Sequence, residues 1–365
     1  MQIGGGGWAV ARLAVMASLA TALILAPLGC ASARKPVAVD QTLAFRLLRA
    51  EAAARPLPPG REAELRTLLQ ELFAGLGPDP KPPADADGFV HFAEDVASGL
   101  AKRNFIQPAA PADWVDSFGE VLTPVPADHP QFRRGPAGPA IAIQMAFANR
   151  TKPFHFIDCD MAAAVLISVA QMVGFDLRMV EAPRHAFVQW RDPKGHVVNW
   201  DWGFWTSRSI ADYRVKFAIT PAEEARGIYL VPRSPSETYA YFLAGISHNL
   251  GDPAAALALR RKAATLAPNN RLVAGNMSEA LASAPGLTPQ ERRDALPYAL
   301  VVLAADAGRP EMGGAALQAV ACAQAARGDW DLAVPIGRRA VRDALPEQAE
   351  RFRSDLSHIE QHQLC

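Results

Sequence analysis

Four cysteines in 365 residues are too few for a disulfide-built scaffold, so stability must come from apolar cores. Net charge is missing as well: 37 Lys and Arg balance 37 Asp and Glu. Nothing in that balance provides an electrostatic footprint for nucleic acid, and none is expected as a partner. The chain carries no phosphate-binding loop, dinucleotide fingerprint or familiar metal-ligand spacing, so no cofactor and no metal are expected. An apolar run at residues 13–28 is shorter than a comfortable membrane span of about 20 residues. What is present is a chain that is 50% hydrophobic, rich in alanine and punctuated by 30 prolines. That composition reads as helices separated by stiff loops, with length enough for two or three domains.

The N-terminal segment reads as an address. Arg12 is the only charge before the apolar run, which has the length of a secretory signal core. Processing before Cys30 resembles a bacterial lipoprotein signal occupying residues 1–30, although Pro27 stands where an aliphatic residue is usual. That resemblance implies a lipidated Cys30, a membrane anchor and a place in the cell envelope or periplasm. Processing at Ala31-Ser32-Ala33 is the alternative and would release a soluble protein beginning at Arg34. Setting Cys30 aside leaves Cys159, Cys322 and Cys365, an odd number that cannot all pair within one chain. Cys322 reads as a small core residue in an alanine-rich helix, and Cys365 as an adventitious thiol at the last position. A bridge from Cys159 or Cys322 to Cys365 is the competing expectation.

Three regions follow the signal. Residues 31–139 hold amphipathic stretches at 41–54 and 61–75 among proline-rich punctuation, with an irregular, proline-bearing excursion over 115–138. Residues 140–236 hold the chemistry. Residues 237–365 read as helical, with an internal repeat: aligning Gly251 with Gly328 sets Ala256 against Ala333, Ala263 against Ala340 and Ala244 against Ala321. Small residues at those offsets let paired helices approach closely. The pattern resembles the tetratricopeptide repeat, which implies stacked helical hairpins and a groove able to take a protein partner. An ordinary helical bundle is the plainer alternative.

Within the central region, Asp158 is a good N-cap for a helix over 161–173 whose C′ residue is Gly174. Positions 159, 163, 166, 170 and 173 share its inward face and place Cys159 at the helix tip. A thiol there feels unpaired N–H groups and the positive end of the helix dipole, which favour the thiolate. Strands are expected at 177–180, 185–190 and 197–202, with a turn at 192–195. If residue 189 faces 199 across that hairpin, Asp201 lies diagonal to His185 on one sheet face, with Asn199 two residues further on. These residues supply a nucleophile (Cys159), a general base and acid (His185) and an orienting partner (Asp201, with Asn199 as the alternative). The oxyanion would be held by the Cys159 backbone N–H and a second donor, for which Gln144 is a weak candidate. Bland readings stand beside each: Cys159 as a buried small residue, His185 as a satisfied core histidine, Asp201 as a strand cap. A zinc site joining His155 to Cys159, His185 and Asp201 is a minor alternative. Trp200, Trp202 and Trp205 read as core rather than a sugar platform.

The ordered helix, PRHAFVQW and the Gly195–Asp201 return strand resemble the transglutaminase-like branch of papain-fold cysteine enzymes. Trp202-Gly203 departs from the Pro-Thr usual after the acidic residue, and no tryptophan closely precedes the cysteine. The resemblance implies an α+β domain in which Cys159, His185 and Asp201 form a triad, followed here by tetratricopeptide-like repeats. It implies an exported cysteine-dependent hydrolase or acyltransferase that attacks an amide or peptide substrate through a thioester. The alternative is a catalytically inactive lipoprotein of the same architecture that binds a peptide or protein.

Overall fold

The computed structural model of the protein describes residues 34–107, 117–128, 151–306, 309–346 and 348–365. Cys30, Gln144, the apolar run at 13–28 and part of the 115–138 excursion lie outside the described residues. Among the described residues, no helix is long and apolar enough to cross a membrane. The fold is α+β, combining many helices with a four-stranded antiparallel sheet.

The described residues ahead of the sheet include α1 (Leu43–Ala54), α2 (Arg61–Gly75) and α3 (Ala86–Lys102). The first two occupy the stretches expected from the amphipathic pattern. The third does not announce itself in the sequence. Its N-cap Asp85 accepts from the Gly88 N–H at 2.9 Å, and Phe89, Ala93, Val96, Ala97 and Leu100 are fully buried along one face. In the 115–138 excursion a four-residue helix, α4 (Phe118–Val121), interrupts the expected irregular chain.

The cysteine helix, α5 (Cys159–Val173), sits at the centre of the fold. Asp158 caps it by accepting from the Met161 N–H at 2.8 Å. Gly174 ends it at φ +97°, where a β-carbon would also strike the Arg34 carbonyl oxygen at 2.7 Å. The single inward face expected from the sequence is too narrow a description, because every residue from Met161 to Ala170 is buried. Helices α1, α2 and α3 cover part of α5, and strands of the sheet cover the rest. Two polar residues on this enclosed helix are used: Ser168 Oγ accepts from the Ala44 N–H at 2.9 Å and Gln171 Oε1 from the Leu43 N–H at 2.8 Å. They satisfy donors at the start of α1 that would otherwise be orphaned.

The sheet runs β3 (Leu177–Ala182), β4 (His185–Arg191), β5 (Val197–Asp201) and β6 (Thr206–Ser207) in sequence order. Gln189 pairs with Asn199, which is the expected register. Pro183 and Arg184 form a two-residue turn between Ala182 and its partner His185, with Arg184 at φ +56°. This turn fixes His185 as the first residue of β4. A separate parallel pair, β1 (Phe105–Ile106) with β2 (His155–Phe156), brings the end of the α3 segment beside the approach to Cys159. After β6 come α6 (Ile210–Lys216) and α7 (Pro221–Ala225), which close over the outer side of β4 through Phe187, Tyr213 and Ile219.

The remaining helices are α8 (Pro235–His248), α9 (Pro253–Leu266), α10 (Arg271–Ser283), α11 (Pro289–Arg293), α12 (Ala295–Ala305), α13 (Pro310–Arg327), α14 (Trp330–Arg342) and α15 (Ala349–Glu360). Consecutive long helices pack as hairpins, α8 on α9 and α13 on α14. All six alanines aligned from the repeat are buried: Ala244, Ala263, Ala321, Ala333 and Ala340 completely, and Ala256 at 8% exposure. One hydrophobic core runs without a break from α1 through α5 and the sheet into these helices. A buried polar joint adds to it, in which Glu181 of β3 accepts from Arg233 and from Asn270, each at 2.7 Å.

The cysteines require a correction. Cys322 and Cys365 form a disulfide across 43 residues of sequence, so neither is a free thiol, and Cys159 is the free cysteine of the described residues. Cys322 keeps its expected burial, but Cys365 packs against the terminal helices and does not hang free. A loop of this size is expected to contribute about 2–4 kcal/mol by restricting the unfolded chain. Cys365→Ser should lower the unfolding free energy by that amount in urea titrations followed by circular dichroism, and an unchanged midpoint would contradict the pairing.

Candidate active site

Asp201 is fully buried at the end of β5 and three donors converge on its carboxylate. His185 Nε2 lies 2.6 Å from Oδ2, the Tyr213 hydroxyl donates to the same oxygen at 2.9 Å, and the Gly203 N–H donates to Oδ1 at 2.8 Å. The side chain is therefore held from strand β4, helix α6 and the β5–β6 corner together. Burial and the adjacent Asp201 push the Tyr213 phenol well above its ordinary range, which keeps it a donor. The imidazole of His185 is enclosed by Phe217, stacked at 5.3 Å, with Phe204 edge-on at 5.9 Å and Tyr213 at 6.4 Å. With Nε2 engaged by Asp201, Nδ1 is the nitrogen left for chemistry.

Cys159 meets this strand from the other side. Its helix packs on β4, and the Ala186 N–H, next after His185, opposes part of the rise in the proton affinity of the thiol. It donates to Asp160 Oδ1 at 3.3 Å, and Asp160 Oδ2 in turn accepts from the Tyr241 hydroxyl of α8 at 2.5 Å. The residue as a whole is half-buried. Sequence alone suggests a helix tip that favours the thiolate. Here burial raises the Cys159 thiol well above its ordinary value, and Asp160, Asp158 and Asp201 add to the rise. A helix dipole contributes on the order of 1 kcal/mol, less than desolvation beside several carboxylates, so burial wins. Asp160 is raised as well, by its own burial, with the Tyr241 and Cys159 hydrogen bonds opposing the shift.

The structure thus joins His185 to Asp201 directly and sets Cys159 at the tip of the helix packed on the same strand, with no hydrogen bond between its sulfur and His185. It does not bring Asn199 there: that amide is buried between Gln189, which donates to it at 2.8 Å, and the Arg208 carbonyl, to which it donates at 2.8 Å. Besides Tyr213 and Asp160, two further side chains absent from the sequence expectation join the site. Gln107, following β1, has its amide nitrogen 3.6 Å from where a β-carbon on Gly203 would stand, and the His185 Cε1 atom is 3.4 Å from the same point. Tyr241 arrives from the C-terminal helices. Neither is legible from the chain, because both depend on contacts spanning many residues. His155 is turned away from any ligand cluster, stacked on Phe105 at 4.7 Å with Nδ1 3.2 Å from the Val121 carbonyl, and burial lowers its proton affinity. Among the described residues, no group of three or more His, Cys, Asp and Glu is placed to hold a metal ion. Trp200 and Trp202 are 1% and 2% exposed, which makes them core.

No protein-family model, no curated protein and no solved structure matches this chain. Asp160→Asn removes a negative charge that opposes ionisation of Cys159. Its thiol should then titrate at lower pH in ultraviolet thiolate absorbance; an unchanged or higher midpoint would contradict the placement of Asp160.

Proposed function

We propose that the protein is a cysteine-dependent amide or peptide hydrolase or acyltransferase of the transglutaminase-like kind, working through a thioester. The observation that carries this reading is the buried Asp201 carboxylate on His185 Nε2, at the start of the strand on which the helix opened by Cys159 packs. A histidine buried for packing needs neither a fixed carboxylate nor a thiol beside it.

In the proposed reaction, His185 Nδ1 takes the Cys159 proton as the sulfur attacks the substrate carbonyl carbon. Asp201 stabilises the imidazolium through Nε2. Because burial and neighbouring carboxylates disfavour the free thiolate, proton transfer accompanies attack. The tetrahedral oxyanion is met by the Cys159 backbone N–H and, in this reading, by the Gln107 amide in place of Gln144. Collapse breaks the carbon–nitrogen bond, and His185 returns its proton to the departing amine. Water, or an amine in acyl transfer, then attacks the thioester with His185 as base and restores the thiol. Hydrolysis is the favoured outcome in a wet compartment.

The same proposal extends to the rest of the chain. Residues 1–30 act as a lipoprotein signal, Cys30 carries the anchor, and the protein works in the cell envelope. The C-terminal helices are tetratricopeptide-like and take a peptide or protein partner. The catalytically inactive alternative, a peptide- or protein-binding lipoprotein, is favoured by one observation: the Cys159 thiol donates to the Asp160 carboxylate, which disfavours its ionisation.

Incubation with a tryptic digest of casein, with hydroxylamine as an added acceptor, separates the two. Mass spectrometry should find cleaved, deamidated or hydroxamate products with the wild-type protein. Cys159→Ala should abolish them, and Asp201→Asn should lower the rate by roughly two to four orders of magnitude. Products that persist in Cys159→Ala would overturn the mechanism. Peptides bound but never converted would favour the binding alternative.

A further inference from the structure

Tyr241 stands on α8, outside the helix and strands that carry Cys159, His185 and Asp201, yet two hydrogen bonds connect it to the sulfur. Its hydroxyl donates to Asp160 Oδ2 at 2.5 Å, and Asp160 Oδ1 accepts from the Cys159 thiol at 3.3 Å. One carboxylate therefore has an oxygen on the reacting group and the other oxygen on a phenol 81 residues further along the chain. Other charged groups near the pair are already occupied. Asp158 accepts from the Met161 N–H, Asp201 from His185, Tyr213 and the Gly203 N–H, and Glu181, which acts on Tyr241 from β3, from Arg233 and Asn270.

A buried carboxylate stays ionised only while donors support its charge. Burial pushes a proton onto Asp160, and against it stand first the Tyr241 hydroxyl, then the Cys159 thiol, then the charge of His185. With the phenol in place, Asp160 keeps its negative charge beside the sulfur and opposes formation of the thiolate. Without it, Asp160 holds a proton up to higher pH. Over that interval the opposing charge is gone, a neutral carboxyl can donate to the sulfur, and the thiolate forms at lower pH. The bond is also placed where it can open. Asp160 and Tyr241 line a cavity of about 380 Å³ with Met161, Phe242 and Leu272, which gives the phenol room to leave the carboxylate. His248 lines the same cavity and is engaged through Nε2 with Asn276 Oδ1 at 2.7 Å.

We propose that Tyr241 is a positioning residue of the site: from α8 its hydroxyl holds the Asp160 carboxylate against the Cys159 thiol and so restrains the reaction of the sulfur. The C-terminal helices thereby set the reactivity of a residue they do not contain. Moving the phenol off Asp160 into the neighbouring cavity relieves the restraint. The inference rests on the reading of Cys159 as the reacting thiol and adds to it a control exerted from outside the catalytic strands.

A double-mutant cycle on the full-length protein tests it, with iodoacetamide alkylation of Cys159 followed against pH by peptide mapping. Tyr241→Phe should react at least threefold faster than wild type near neutral pH, with its profile moved to lower pH. The same substitution should change nothing in Asp160→Asn. An unchanged or slower rate in Tyr241→Phe overturns the proposal, as does equal acceleration in both backgrounds, which would trace the effect to loosened packing. His185→Ala reports separately on the underlying reading. A wild-type rate there would count against the histidine as base and leave the Tyr241 coupling standing, whereas a failed cycle beside a slow His185→Ala would sink the coupling alone. Should Tyr241→Phe melt abnormally in circular dichroism, replacement of the tyrosines by 3-fluorotyrosine decides, since it keeps the shape and makes each hydroxyl a stronger donor. Alkylation should then slow twofold or more with Asp160 present and not in Asp160→Asn. Tyr213 is altered in both backgrounds, so its action on Asp201 cancels. No difference between the backgrounds overturns the proposal.

Discussion

The buried carboxylate of Asp201 is the constraint around which the central region is organised. An ionisable group with no exposed surface is tolerated only when donors surround it, and here those donors come from three separate pieces of chain. His185 is supplied by the tight Pro183-Arg184 turn, Tyr213 by a short helix after the sheet, and the Gly203 N–H by the corner leaving β5. Satisfying Asp201 thus fixes the relative positions of β4, α6 and the β5–β6 corner. Removing one donor would leave the others misplaced as well. The imidazole is held in one orientation as a consequence, with one ring nitrogen committed and the other available.

The cysteine side of the site is governed by the opposite kind of environment. Cys159 opens a helix enclosed on all sides, beside two acidic residues of its own segment and near Asp201. Burial and these carboxylates raise the proton affinity of the thiol. Tyr241 ties Asp160 to the C-terminal helices, and Glu181 does the same one strand away through Asn270 and Arg233. The helical region is therefore part of the support of the site as well as its neighbour. A shift of α8 would be felt at Asp160, one residue from the sulfur.

Much of the local construction was legible in the sequence because its signals are short in range. Asp158 and Gly174 bracket the cysteine helix, the Asp192–Gly195 turn sets the hairpin, and the 189–199 register puts Asp201 on the side of His185. The repeat alanines were legible too, since helix-to-helix approach demands small residues at fixed offsets. What escaped were partnerships between distant segments. Nothing in residues 210–216 marks Tyr213 as a ligand of Asp201, nothing near residue 107 points to Cys159, and α3 shows its apolar face only once its partners are known. The Cys322–Cys365 pairing was open for the same reason, as one of two possible bridges. The sign of the electrostatic effect on Cys159 was misjudged because a helix dipole is visible in a sequence and burial beside carboxylates is not.

The measurement that bears most directly on the account is the rate of iodoacetamide alkylation at Cys159 near neutral pH, read by peptide mapping in the wild-type protein and in His185→Ala. If the imidazole held by Asp201 is the base that draws the proton from a thiol otherwise kept protonated, the variant should react at least tenfold more slowly at Cys159, with circular dichroism unchanged. Equal rates in the two proteins would contradict the account. They would mean that the buried thiol and the Asp201-bound histidine share a strand without sharing a proton.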